Sequence, residues 1–304
     1  MPTQIVDFRR IWDRAPHNAL TDLIRFREEW LCVCREGDAH ASPGGVVRIL
    51  ASENGVSWNS AATLSDPKAD LRDPKLSITP DGRLMLNAAA AWHQPAPNRH
   101  QSLVWFSPDG REWVGPKPIG DPDVWLWRVT WHKGIAYSAG YSTVDQTGVR
   151  LYSSFDGLRY KLIVPALHDQ GDPNEATMLF QPGGSALLLL RREAGEATAQ
   201  LGSADAPYRE WTWRDLGVRI GGPHAIRLPD GRMIAAARRY GGAWRTSLHW
   251  LDPNAGRLEE FLTLPSGGDT SYAGLVWHEG LLWVSYYSSH EEKTCVYIAR
   301  VELS

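Results

Sequence analysis

Apolar runs broken by glycine-centred turns recur in pairs along the whole chain. The unit, an apolar stretch, a turn and a second apolar stretch, can be read over Leu20 to Arg35, Pro74 to Ala91, Leu126 to Tyr141, Glu175 to Arg192, Gly222 to Arg239 and Ser271 to Tyr287. Five of its turns, Pro80-Asp-Gly82, His132-Lys-Gly134, Pro182-Gly-Gly184, Pro229-Asp-Gly231 and His278-Glu-Gly280, end in the residue that a tight reversal needs, and Arg27-Glu-Glu29 is the exception. A second pair of strands follows each unit, as in Val46 to Ala51 with Trp58 to Leu64, or Val149 to Ser153 with Tyr160 to Val164. Six repeats of four antiparallel strands predict an all-β fold, a six-bladed β-propeller, as a single domain over residues 1–304. The last repeat lacks an outer strand, and the orphan apolar stretch Gln4 to Phe8 is predicted to supply it and close the ring.

A shorter phrase supports the repeat. Ser52-Glu-Asn-Gly-Val-Ser-Trp58, Ser107-Pro-Asp-Gly-Arg-Glu-Trp113 and Ser154-Phe-Asp-Gly-Leu-Arg-Tyr160 recur about every fifty residues, the period of a propeller blade. Weaker relics stand at Ser203-Ala-Asp205 and Asp252-Pro-Asn254-Ala-Gly256. These are hairpin turns, expected on the face opposite the chemistry.

Composition narrows the classes of function. With 304 residues, 43% of them hydrophobic, the chain can bury a large core, and a net charge of -3 without a basic stripe argues against nucleic acid as a partner. No segment is apolar enough for a membrane span and the N-terminus does not read as a leader, so a cytoplasmic protein is expected. The odd count of three cysteines argues against a disulfide framework, and no cofactor or metal is expected, the only close donor spacing being Asp38-Ala-His40. The fifteen Trp are expected mainly in the core, with Trp92, Trp125 and Trp127 as a candidate platform for a sugar ring.

In a propeller the first-strand starts and second-strand ends gather on one axial face. Reading only those places collects Arg35, His40, Arg72, Asp73, His93, Trp127, Arg191, Arg192, Arg238, Arg239 and Tyr287 as candidate substrate-binding residues, together with His17, His224, Asp269 and His290. Charged residues interrupt apolar strands at the same place in successive repeats, which points to a binding pocket rather than a solvated rim.

The Ser/Asp turns, the six repeats and several axial segments resemble the sialidase (neuraminidase) superfamily, with its Asp-box or BNR repeats, over essentially the whole chain. The resemblance implies an exo-acting glycoside hydrolase on an acidic or modified sugar, its partner a glycan or small acidic saccharide, in which Ser271-Tyr272-Ala-Gly-Leu275 carries a nucleophilic Tyr272, Asn174-Glu175-Ala176 its partner Glu175, and Asp38 the acid/base. Arg191 or Arg192, and Arg238 or Arg239, would then belong to an arginine clamp for the sugar carboxylate. Where that family opens blade one with an arginine, this chain has His17-Asn18-Ala19-Leu20, and neutral Asn cannot replace a bidentate guanidinium. Two alternatives stay open: a lyase on uronic-acid glycans using His, Tyr and Arg, and a glycan-binding propeller without catalysis.

Overall fold

In the computed structural model, which describes residues 3–94, 97–145 and 148–304, the described residues form six antiparallel sheets and no α-helix. The first strand, β1 (Gln4–Trp12), belongs to the last blade. Blade one is β2 (His17–Phe26), β3 (Glu29–Gly37), β4 (Val46–Ser52) and β5 (Asn59–Leu64); blade two is β6 (Ala69–Ile78), β7 (Leu84–Trp92), β8 (His100–Ser107) and β9 (Val114–Ile119). In blade three the inner strand is split into β10 (Val124–Leu126) and β11 (Thr130–His132), both paired with β12 (Ile135–Ser142), followed by β13 (Val149–Ser154) and β14 (Lys161–His168). Blade four is β15 (Pro173–Phe180), β16 (Ala186–Arg192), β17 (Gln200–Ala204) and β18 (Thr212–Asp215). Blade five is β19 (Ile220–Arg227), β20 (Met233–Arg239), β21 (Arg245–Asp252) and β22 (Arg257–Thr263). Blade six runs β23 (Thr270–His278), β24 (Leu281–Ser288) and β25 (Cys295–Glu302), and β1 completes it.

The predicted closure is present: β1 pairs antiparallel with β25 from Gln4 opposite Glu302 to Trp12 opposite Val296. Alternation within each strand sends apolar side chains to both faces of the sheet, so the core lies between blades. Leu31, Val33, Ile49, Leu71, Leu86 and Trp105 fill the space between blades one and two, and Ile234, Leu248, Leu275, Val284 and Tyr297 fill that between blades five and six. Cys32, Cys34 and Cys295 are buried free thiols.

The Ser/Asp turns cap the edge opposite the strand ends His17 and Gly37, since Trp30 pairs with Ser52 at one end of blade one and His17 with Gly37 at the other. In each the Ser hydroxyl accepts the Gly N–H, at 2.9 Å for Ser52 and Gly55, 2.8 Å for Ser107 and Gly110, and 2.9 Å for Ser154 and Gly157. The Asn54, Asp109 or Asp156 side chain accepts the next two N–H groups, so the turn backbone is satisfied locally.

One irregularity recurs near the axis. The pairing slips between Ala19 and Asp22, Arg72 and Lys75, Pro173 and Ala176, Gly221 and His224, and Ser271 and Gly274, and in blade three the inner strand is broken at the corresponding place. Left-handed backbone marks these bulges at Leu20, Asp73, Gly222 and Tyr272. A bulge re-aims a side chain out of the pleat, and here the interruption falls at one level of the ring in blade after blade.

Candidate functional site

Four of the bulges supply the centre of the site. Tyr272 and Ser271 both have positive φ, 51° and 95°, an uncommon conformation for residues with a Cβ, and it turns the Tyr272 ring toward blade four. There its phenol donates to Glu175 Oε1 at 2.6 Å. Arg191 Nη1 lies 2.7 Å from Glu175 Oε2 and 3.2 Å from the Tyr272 oxygen, and the Gly222 N–H donates to Glu175 Oε2 at 2.7 Å. Burial alone would raise the Glu175 pKa, but Arg191, Tyr272 and Gly222 outweigh it and hold the carboxylate below its ordinary value. Burial and the Glu175 charge push the Tyr272 phenol well above its own. The pair is therefore a phenol poised on a carboxylate, with the proton on Tyr272 at rest.

Gly222 is required twice over. Its φ is +58°, and a Cβ there would lie 2.7 Å from the Tyr272 ring. Trp127 closes another side of the tyrosine, ring edge to face at 5.4 Å, and the Arg238 guanidinium stands over the ring at 5.2 Å.

Asp73 sits at the bulge of blade two, 5% exposed, with Oδ1 lacking a hydrogen-bond partner among the described residues. Burial raises its pKa, Lys75 and Arg72 oppose the rise, and Glu175 adds to it, leaving a carboxyl above its usual range. Below it runs a buried polar layer. Lys75 donates to Thr21 O at 3.1 Å and is lowered to about 8 by burial, while Arg128 forks onto Asp22 at 2.9 and 3.1 Å beside His224, itself lowered to about 3 by burial.

A second cluster adjoins the first through Arg238. Asp269 Oδ1 accepts Tyr287 at 2.7 Å and Arg238 Nη2 at 3.0 Å, while Oδ2 faces His40 Nδ1 at 2.7 Å and His17 Nε2 at 3.1 Å. Burial would raise Asp269, but bonds from His17, His40 and Tyr287 hold it far below the carboxylate range.

The sequence-read residues thus divide. Glu175, Tyr272, Arg191, Arg238, Tyr287, Asp73, Trp127 and His40 come together at the axis. Asp38 is exposed on the loop after β3, with its N–H on Ser42 Oγ at 3.1 Å. Arg35 is fully buried and engaged by Asp70 at 2.7 Å, Ala39 O at 2.8 Å and Ser42, so it braces that loop from beneath instead of facing a ligand. Arg72 is directed toward Asp70 at 3.9 Å. Arg192 binds Thr198 and Asp215, and Arg239 binds Glu260 and Arg219 O, so of each adjacent arginine pair the first member turns to the axis and the second to the blade exterior. His93 and Trp92 line a separate cavity of 630 Å³ with Lys68, Asn98 and Gln101. The tryptophan platform is corrected: Trp127 is 1% exposed and covers Tyr272, and Trp125 is buried against Tyr141, so neither presents an open face.

Sequence reading passes over Lys75 and Asp22, because buried charges inside apolar strands look like pattern breaks and their partners lie in other blades. The one available signal is the repeated interruption itself.

No protein-family profile matches the sequence, and no curated protein matches it. Among solved structures, a protein of unknown function from Dyadobacter fermentans has a TM-score of 0.88 at 20% identity, with 99% of each chain covered. An α-L-arabinofuranosidase from Fusarium graminearum has a TM-score of 0.74 at 13% identity, covering 99% of this chain and 98% of that one. The sialidase of Trypanosoma rangeli has a TM-score of 0.68 at 10% identity, covering 94% of this chain and 55% of that one. The chain therefore has the six-bladed propeller fold of these structures.

Proposed function

We propose that this chain is a carbohydrate-active enzyme that hydrolyses a glycosidic bond through a covalent tyrosyl intermediate. The 2.6 Å bond between Tyr272 and Glu175 carries the reading. As the Tyr272 oxygen bonds to the anomeric carbon, its proton passes to Glu175 and the glycosidic carbon–oxygen bond breaks. The leaving oxygen takes a proton from Asp73, which burial favours in the protonated form that a general acid needs, whereas exposed Asp38 lacks such an environment. Water then attacks the same carbon, giving a proton to Asp73, and Tyr272 leaves with the proton held by Glu175.

The arginines argue for a neutral sugar. Arg191 is matched by Glu175 and Glu193, and Arg238 by Asp269, so two guanidinium groups of a carboxylate clamp already have carboxylates of their own. At the place of the third stands Asn18, whose amide is bound to Ala15 and Thr294. The solved structures sharing this fold include an arabinofuranosidase bound to arabinobiose, a sugar without a carboxylate, and this fits the same reading.

The test is a panel of aryl furanosides, aryl pyranosides, sialosides and uronate glycans, read for released aglycone, reducing sugar and near-ultraviolet absorbance. Neutral glycosides are expected to be cleaved, with Tyr272→Phe and Glu175→Gln each lowering turnover at least a thousandfold. Wild-type rates in both variants would remove the mechanism. New ultraviolet absorbance would instead favour elimination, with His40, oriented by Asp269, as the base.

A further inference from the structure

We propose that His17, His40 and Asp269 form a binding site for one divalent transition-metal ion. His17 Nε2, His40 Nδ1 and an Asp269 oxygen lie within 4.8 Å of one another, on three separate segments: the start of β2, the loop after β3 and the residue before β23. Metal–ligand bonds of about 2.1 Å put neighbouring donors about 3.0 Å apart in octahedral and about 3.4 Å apart in tetrahedral coordination around one ion. The nitrogen–oxygen spacings are 2.7 and 3.1 Å, so opening by a few tenths of an ångström seats the three donors around one ion. Two imidazoles and one carboxylate form the donor set of zinc, iron and cobalt sites that keep open positions.

Each donor is independently held. Asp269 has its far oxygen fixed by Tyr287 and Arg238, and its backbone carbonyl accepts Ser289 N–H at 3.0 Å, an arrangement that aims the near oxygen at the two histidines. His17 is buried in the strand whose next residue, Asn18, is tied to Thr294. His40 rides on the loop that Arg35 braces, which gives that buried arginine a purpose beyond packing. The half-exposed His40 ring leaves the ion reachable from solvent, and the Arg238 charge on the shared carboxylate makes the site exchangeable. An ion there would stand one guanidinium away from Tyr272, where its open positions suit sugar hydroxyls.

The experiment titrates the full-length chain, stripped with chelator, with Co2+ followed by visible absorption and with Zn2+ followed by calorimetry. One equivalent is expected to bind, with His40→Ala and Asp269→Asn each weakening binding at least tenfold and His93→Ala leaving it unchanged. Circular dichroism and thermal melts verify the fold, and if Asp269→Asn fails to fold, His40→Ala and His40→Gln decide. Absence of saturable binding, or stoichiometric binding that survives loss of His40, would overturn the site and leave a hydrogen-bonded His–Asp cluster.

Discussion

Asp73 carries a tension between folding and chemistry. Its carboxyl is raised above its ordinary value in the folded chain, so over the interval from about pH 4, where an unfolded Asp ionises, up to its folded pKa the native state binds more protons. Stability from this group is fully present below the unfolded pKa and is lost as pH rises through the folded one. Asp73→Asn removes that dependence. Melting curves of the variant are expected to coincide with the parent near pH 3 and to lie higher at pH 7, while turnover falls at least a hundredfold. A variant that melts lower at pH 7, or an Asp38→Asn variant that loses activity while Asp73→Asn keeps it, would transfer the acid role away from Asp73.

The inner-strand bulges are the element on which the site depends, and blade five tests this. Gly222→Ala places a methyl group 2.7 Å from the Tyr272 ring in a backbone conformation that disfavours any Cβ. The expected result is a melting temperature lower by several degrees and turnover reduced at least a hundredfold, with the near-ultraviolet circular dichroism of Tyr and Trp altered. Unchanged activity would mean that the Tyr272–Glu175 geometry does not require the bulge. The same bulges explain what the sequence can reveal. Hairpin turns are legible because Gly and Pro mark them, yet the predicted first strands begin too late. Blade two reads from Pro74 but starts at Ala69, and blade five reads from Gly222 but starts at Ile220, because Asp73-Pro74 and Gly221-Gly222-Pro223 imitate loop sequence inside a strand. Glu175 and Tyr272 emerge from the resemblance to sialidase segments, and the geometry joins them. Asp269 and its histidines can be collected only as separate residues, since donors 252 and 229 positions apart have no spacing to read.

For the whole molecule, closure by β1 joins the two ends of the chain in one sheet. Removing residues 1–12 exposes the length of β25 as a free edge. The truncated chain is expected to melt about 10 °C lower and to elute partly as aggregate on gel filtration, and a parental melting curve would show that five complete blades hold the sixth without its outer strand. The register of that seam has a mechanical consequence. Gln4 faces Glu302 and Trp12 faces Val296, so the ends of the chain emerge side by side. A pull applied to them loads the ladder one rung at a time, as in peeling tape, instead of shearing all its hydrogen bonds together. The ring would therefore resist heat and solvent at this seam far better than it resists tension on its own ends.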